Sequence, residues 1–152
     1  MATRFYEQEV KAGLKDKRKL AAYLETLVRE HLKDVKLMHL NYIFCNDAYL
    51  IGINMQYLQH DTFTDIITFD LSENIYELQS EIYISVERVK ENAQQFGVDY
   101  KHELLRVIFH GVLHLCGFKD KKKEDEELMR KMEEACIREY AEFQLPTKVA
   151  KD

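Results

Sequence analysis

A chain of 152 residues, 46% hydrophobic and 32% charged, is long enough to bury a real core as one domain, and these proportions exclude a disordered polypeptide. The net charge of −5, from 22 basic and 27 acidic side chains, excludes capture of long nucleic acid by bulk charge; such a partner would have to meet a local basic surface. No apolar run approaches the roughly 18 to 20 residues of a membrane span, and Met1–Glu7 lacks the apolar core of a signal peptide, so no membrane partner and a cytoplasmic location are expected. Cys45, Cys116 and Cys136 are odd in number, widely spaced and set among apolar residues, as buried free thiols in a reducing compartment are.

Residues 4–10 read as a short opening strand. From Asp16 to Lys33, Leu20, Leu24, Leu27, Val28 and Leu32 recur at helical spacing between charges and predict an amphipathic helix. Leu37–Cys45 is rich in aromatic and branched residues and reads as a strand, with His39 a face or core residue within it. Asp47 is the expected N-cap of a short helix over 49–58, followed by a polar loop, Gln59–Thr64. Ile66–Phe69 and Glu81–Ser85 are predicted strands, and the short connection between them favours an antiparallel hairpin.

Glu87–Phe96 reads as a helix stopped by Gly97. Asp99 can cap the next one, whose broad apolar face carries Leu104, Leu105, Ile108, Val112 and Leu115. A last helix over 124–142 is predicted to turn Leu128, Met132 and Cys136 inward, and residues 146–152 to fray. The expected fold is α/β: one compact domain over residues 1–145, with a small mixed β-sheet of about four strands packed with about five helices.

The chemistry concentrates at residues 110–120. His110 and His114, four apart on a helix, project from one face, close enough to grip a single ion. Gly117 can end that helix in a left-handed turn, after which Asp120 can swing back to the same point. Two imidazoles and a carboxylate make three ligands and leave a fourth tetrahedral position for water or substrate, the pattern of a catalytic zinc. Cys116, two residues past His114, points to another side of the helix. The spacing mimics zinc proteases, but they carry Glu after the first His, where this chain has Gly111; peptide hydrolysis by that route lacks its base. Gly111 itself suggests close approach by another backbone or a ligand. The nearest basic clusters are Lys119 with Lys121–Lys123, muted by the acidic run that follows, and Lys15 with Lys17–Lys19, which reads as a solvated helix end.

His110 to Phe118 resembles the signature of the YbeY family, bacterial metal-dependent endoribonucleases of ribosomal RNA maturation. Asn54–Tyr57 with Asp61–Phe69 is similar to that family's threonine-aspartate strand entry, and Glu81–Ser85 stands in the place of its Gly-Asp-Ile-x-Ile-Ser strand. The resemblance runs over about residues 46–135. Asp120 takes the place of the family's usual third His, Lys119 of an Asp, Leu58 of an Arg linked to RNA, and Ser80 of a Gly.

The resemblance implies one divalent ion, zinc, on His110, His114 and Asp120. It also implies single-strand-specific cleavage of ribosomal RNA, the small-subunit precursor, with ribosomal particles as further partners. Water on the ion, or the neighbouring 2′-hydroxyl, would attack the phosphodiester. Asp65 and His60 are candidate orienting residues, Thr64 and Lys119 candidate substrate contacts, and His60 or Lys119 can stand in for the missing Arg charge. His102, two turns before His110, reads as surface. Two other classes stay open: a ribosome-associated binding module with a structural metal, and a metal hydrolase of a non-nucleic substrate.

Overall fold

Alternation of large apolar and smaller polar side chains lays down the centre of the molecule. In β2 (Leu37–Cys45), Met38, Leu40, Tyr42 and Phe44 are buried while His39, Asn41 and Ile43 face the half-exposed side; in β4 (Glu77–Ser85), Leu78, Ser80, Ile82 and Ile84 do the same. These two strands pair in parallel, from Leu37 opposite Glu77 to Cys45 opposite Ser85. The computed structural model describes residues 2–58 and 64–145. The sheet order is β1-β2-β4-β3, with β1 (Ala2–Glu7) parallel to β2 and β3 (Ile66–Asp70) antiparallel to β4, so the sheet is mixed and the hairpin expected between the last two strands is present. The helices are α1 (Lys17–His31), α2 (Asp47–Ile53), α3 (Val86–Phe96), α4 (Tyr100–Leu115) and α5 (Lys123–Glu142). The α/β class, the four-stranded mixed sheet and the five helices all match the expectation from sequence.

Helix α4 is buried along almost its whole length and lies on the apolar face of the sheet. The Tyr42 hydroxyl, itself buried, donates to the Ile108 carbonyl at 2.9 Å and ties helix to sheet. At Gly111 the two surfaces pack tightly: a Cβ there would stand 3.0 Å from Ile82 Cγ2 and 3.1 Å from Ile66 Cδ1. The glycine expected to admit a backbone or a ligand instead admits two isoleucines of β3 and β4.

Several boundaries differ from the sequence reading, each for a local reason. β1 stops at Glu7 rather than reaching residue 10, because Glu9 takes a φ of 56° and ends the extended run; the Glu7 carboxylate then accepts from the Ala12 N–H at 2.7 Å. Asn46, not Asp47, caps α2, its Oδ1 accepting from the Tyr49 N–H at 2.8 Å, while Asp47 pairs with Arg88 at 2.9 Å. The expected helix over 49–58 is α2 followed by a wider π-helical turn, Asn54–Leu58. β4 begins at Glu77 rather than 81, because β2 offers partners along its whole length. Asp99 stands before α4 without a side-chain cap bond; its backbone carbonyl accepts from the Glu103 N–H at 3.1 Å. The inward stripe of α5 is Met129, Glu133, Cys136 and Tyr140, and Leu128 is 49% exposed. His60 and the rest of 59–63, and the tail 146–152 expected to fray, lie outside the described residues.

Candidate metal centre

Glu103, Arg106, His110 and His114 fall at steps of three, four and four along α4, so one face of this helix carries all four polar side chains. Below it Glu133 rises from α5. Three of these groups are charged yet nearly out of solvent: Glu103 at 1% exposure, Glu133 at 2% and Arg106 at 9%. Charges so buried persist only when paired, and they are. Arg106 donates Nε to Glu103 Oε1 at 2.9 Å, one Nη to Glu103 Oε2, and the other Nη to Glu133 Oε1 at 3.0 Å. The second oxygen of Glu133 faces His110 Nδ1 at 2.6 Å.

This chain of contacts sets the ring. Burial pushes Glu133 toward protonation, but the hydrogen bond from His110 and the charge of Arg106 outweigh it and hold the carboxyl below its ordinary range. An ionised Glu133 accepts only, so Nδ1 of His110 must donate, and Nε2 is the nitrogen left for the cavity. Arrangements in which a carboxylate fixes the far nitrogen of a ligating histidine are common behind metal ions. Burial lowers the His110 pKa, and Glu133, Asp120 and Asp65 more than reverse that, so the free ring is raised above its usual value.

Asp120 reaches the same point from the loop after α4. The helix closes in a Schellman turn: Gly117, at φ 104°, gives its N–H to the His114 carbonyl at 3.0 Å, and Phe118 gives its own to Leu113 at 3.1 Å. The Phe118 ring then packs edge-on against His31, centroids 5.5 Å apart. The chain so reversed sets Asp120 Oδ2 at 3.2 Å from His110 Nε2. Both line a cavity of about 330 Å³ with His114, Asp65, Thr64 and Arg106.

Asp65, just before β3, brings its carboxylate to 3.8 Å from Arg106 Nη2 while its backbone carbonyl accepts from Ser85 N–H at 2.9 Å. Burial raises its pKa despite the opposing pull of Arg106 and His110.

The structure thus brings together five of the residues singled out from sequence: His110, His114, Asp120, Asp65 and Thr64. Lys119 is exposed and does not line this cavity. His102 stands 4.0 Å from Glu134, away from the cavity. Cys116 keeps its proton, its thiol pushed up to about 12 by burial, and takes no part. The set of two imidazole nitrogens and a carboxylate oxygen, with Nδ1 already committed, is chemically that of a zinc site. Among the described residues, however, no three His, Cys, Asp or Glu side chains converge closely enough to surround an ion. His110 and Asp120 meet, and His114 lines the cavity without closing the triangle. Sequence reasoning missed Glu103, Arg106 and Glu133; their signal was their position on the His110 face of α4 and the inward stripe of α5.

A family model described as "Endoribonuclease YbeY" matches residues 5–141. Among curated relatives, "Endoribonuclease YbeY" of Flavobacterium psychrophilum is 58% identical over 95 residues, covering 62% of this chain and 67% of its own. That of Cytophaga hutchinsonii is 41% identical over 133 residues, 88% of this chain and 92% of its own. The solution structure of TM1509 from Thermotoga maritima superposes with a TM-score of 0.55 at 29% identity, covering 97% of this chain and 100% of that one. With matches of this extent, and with the fold and the His110–His114–Asp120 segment in place, the chain belongs to the YbeY family.

Proposed function

We propose that this protein is a metal-dependent, single-strand-specific endoribonuclease of ribosomal RNA maturation, with zinc held by His110, His114 and Asp120. The observation that carries the reading is the 3.2 Å contact between His110 Nε2 and Asp120 Oδ2 at a cavity that His114 and Asp65 also line, in a chain of this family. When bound, the ion supplies Lewis-acid polarisation of a phosphodiester oxygen and lowers the pKa of water toward neutrality. Glu133 keeps the His110 ring from turning, so Nε2 stays on the cavity side. Asp65 orients the attacking oxygen, and Thr64 contacts the substrate at the cavity wall. A cavity of about 330 Å³ suits an unpaired strand better than a duplex. The substrate is the small-subunit ribosomal RNA precursor, free or in ribosomal particles, in the cytoplasm, and the acting unit is residues 1–145. Among the described residues, no helix is long and apolar enough to cross a membrane.

The test is metal content by mass spectrometry alongside cleavage of labelled single-stranded RNA, peptide and ester substrates. Near one zinc per chain, lost in His114→Ala and Asp120→Ala together with RNA cleavage, is the expected result. RNA cleavage that survives in metal-free variants would remove the metal from the mechanism. Zinc whose loss unfolds the chain, with no RNA cleaved by the loaded protein, would leave a binding module, and cleavage of the peptide or ester alone a different hydrolase.

A further inference from the structure

His110 also lines a cavity besides the one described above. The second, of about 690 Å³, shares Arg106, His110 and Asp120 with the first and follows the early turns of α5 past Glu126, Glu127, Arg130 and Lys131. A polynucleotide cut at the His110–Asp120 pair must leave the cleavage point in two directions, and two cavities meeting there provide both. Its phosphates need cations. Among the described residues lining the smaller cavity, the cationic side chain other than histidine is Arg106, and it is committed: Glu103 takes two of its nitrogens, Glu133 a third, and Asp65 stands 3.8 Å away.

Arg130 differs. Its side chain is 55% exposed, and its ion pair is a 3.7 Å contact with Glu133 Oε1, the oxygen that already holds Arg106 at 3.0 Å. Glu133 therefore needs little from Arg130, while the pairing keeps this guanidinium over the second cavity, one helical turn from the carboxylate that orients His110. A planar fork of donors matches a phosphate's oxygens better than the point charge of neighbouring Lys131. The second cavity sets four carboxylates, Asp120, Glu126, Glu127 and Glu133, against Arg106, Arg130, Lys131 and the His110 ring, so its lining carries no net positive charge until a divalent ion joins it.

We propose that Arg130 binds the substrate phosphate adjacent to the cleavage point, across the second cavity, and that this grip needs the ion in place; the inference rests on the endoribonuclease reading above. The test is fluorescence anisotropy of a short labelled single-stranded RNA, carrying 2′-O-methyl groups and checked intact by gel, against the zinc-loaded protein at several salt concentrations. Arg130→Gln should weaken binding about five- to tenfold and reduce the salt slope by about 0.7, one single-strand phosphate contact. Zinc content and unfolding midpoint should stay as in the wild type, and Arg130→Lys should recover the slope and part of the affinity. Arg138→Gln removes an exposed positive charge further along the same helix and should leave both quantities unchanged. Chelation should weaken the wild type by more than tenfold. If Arg130→Gln loses no more than Arg138→Gln while the wild type binds, the assignment of Arg130 is wrong. If chelation leaves wild-type binding unchanged, its dependence on the ion is wrong. If the zinc-loaded wild type binds no RNA, the endoribonuclease reading falls as well.

Discussion

The Nδ1–H of His110 donates to Glu133 Oε2 at 2.6 Å, across 23 residues of chain and between two helices. One carboxylate thereby decides which nitrogen of a proposed ligand faces the cavity, and its other oxygen anchors Arg106. Glutamine at 133 would offer a single acceptor to two donors and bring an NH₂ against one of them. Glu133→Gln should lower zinc affinity by about 10- to 100-fold, read by competition with a chromogenic chelator. Affinity within twofold of wild type would show that Glu133 does not orient the ring.

Arg106 sits among Glu103, Glu133 and Asp65, and losing it would leave buried carboxylates without their cation. Arg106→Met keeps much of the volume and removes the charge. Breaking a buried pair in this way costs about 3–5 kcal/mol, and urea unfolding of the metal-free protein should show a loss of that order. A loss under about 1 kcal/mol would mean that water enters and solvates the carboxylates instead.

Gly111→Ala sets a gain against a loss. Alanine is the better helix former by about 1 kcal/mol, but its Cβ would meet Ile82 and Ile66 at 3.0 and 3.1 Å, and overpacking a tight core costs about 1–3 kcal/mol. The balance should be a net destabilisation of about 1 kcal/mol in denaturant unfolding. Adding Ile66→Val, which removes the Cδ1 in the way, should return part of it in a double-mutant cycle. Stabilisation by the single change would show that the sheet yields freely.

The thiols titrate late. Burial pushes Cys45 and Cys116 up to about 12 and Cys136 to about 11, and Tyr23 and Tyr42 are raised by burial as well. A group whose folded pKa is raised binds its proton more tightly in the native state, so its contribution is whole below the unfolded pKa and is lost as pH climbs toward the folded one. For the thiols that window runs from about 9 to 12, and unfolding midpoints should fall steadily across it. At pH 8 iodoacetamide should label the native protein far more slowly than the urea-unfolded chain. Equal labelling rates would contradict the burial.

The sequence alone determined the layout of elements and marked the candidate ligands His110, His114 and Asp120. Period-two and period-3.6 patterns are written in neighbouring residues, so β2, the β3–β4 hairpin, α1 and α4 could be read directly, as could a His-x3-His pair followed by a glycine stop and an acid. Those features depend on side chains within a few turns of one another. Tertiary structure decided what depends on partners far along the chain. The start of β4 at Glu77 is set by the length of β2, to which it pairs. The inward face of α5 carries Met129 and Glu133 rather than Leu128, and Glu133 there meets Arg106 and His110, partners 27 and 23 residues back along the chain. Gly111 is explained only by two isoleucines contributed by different strands. Local sequence carries periodicity and turn geometry, whereas the pairing of buried charges and the closest approach of packed surfaces exist only after folding has brought distant residues together.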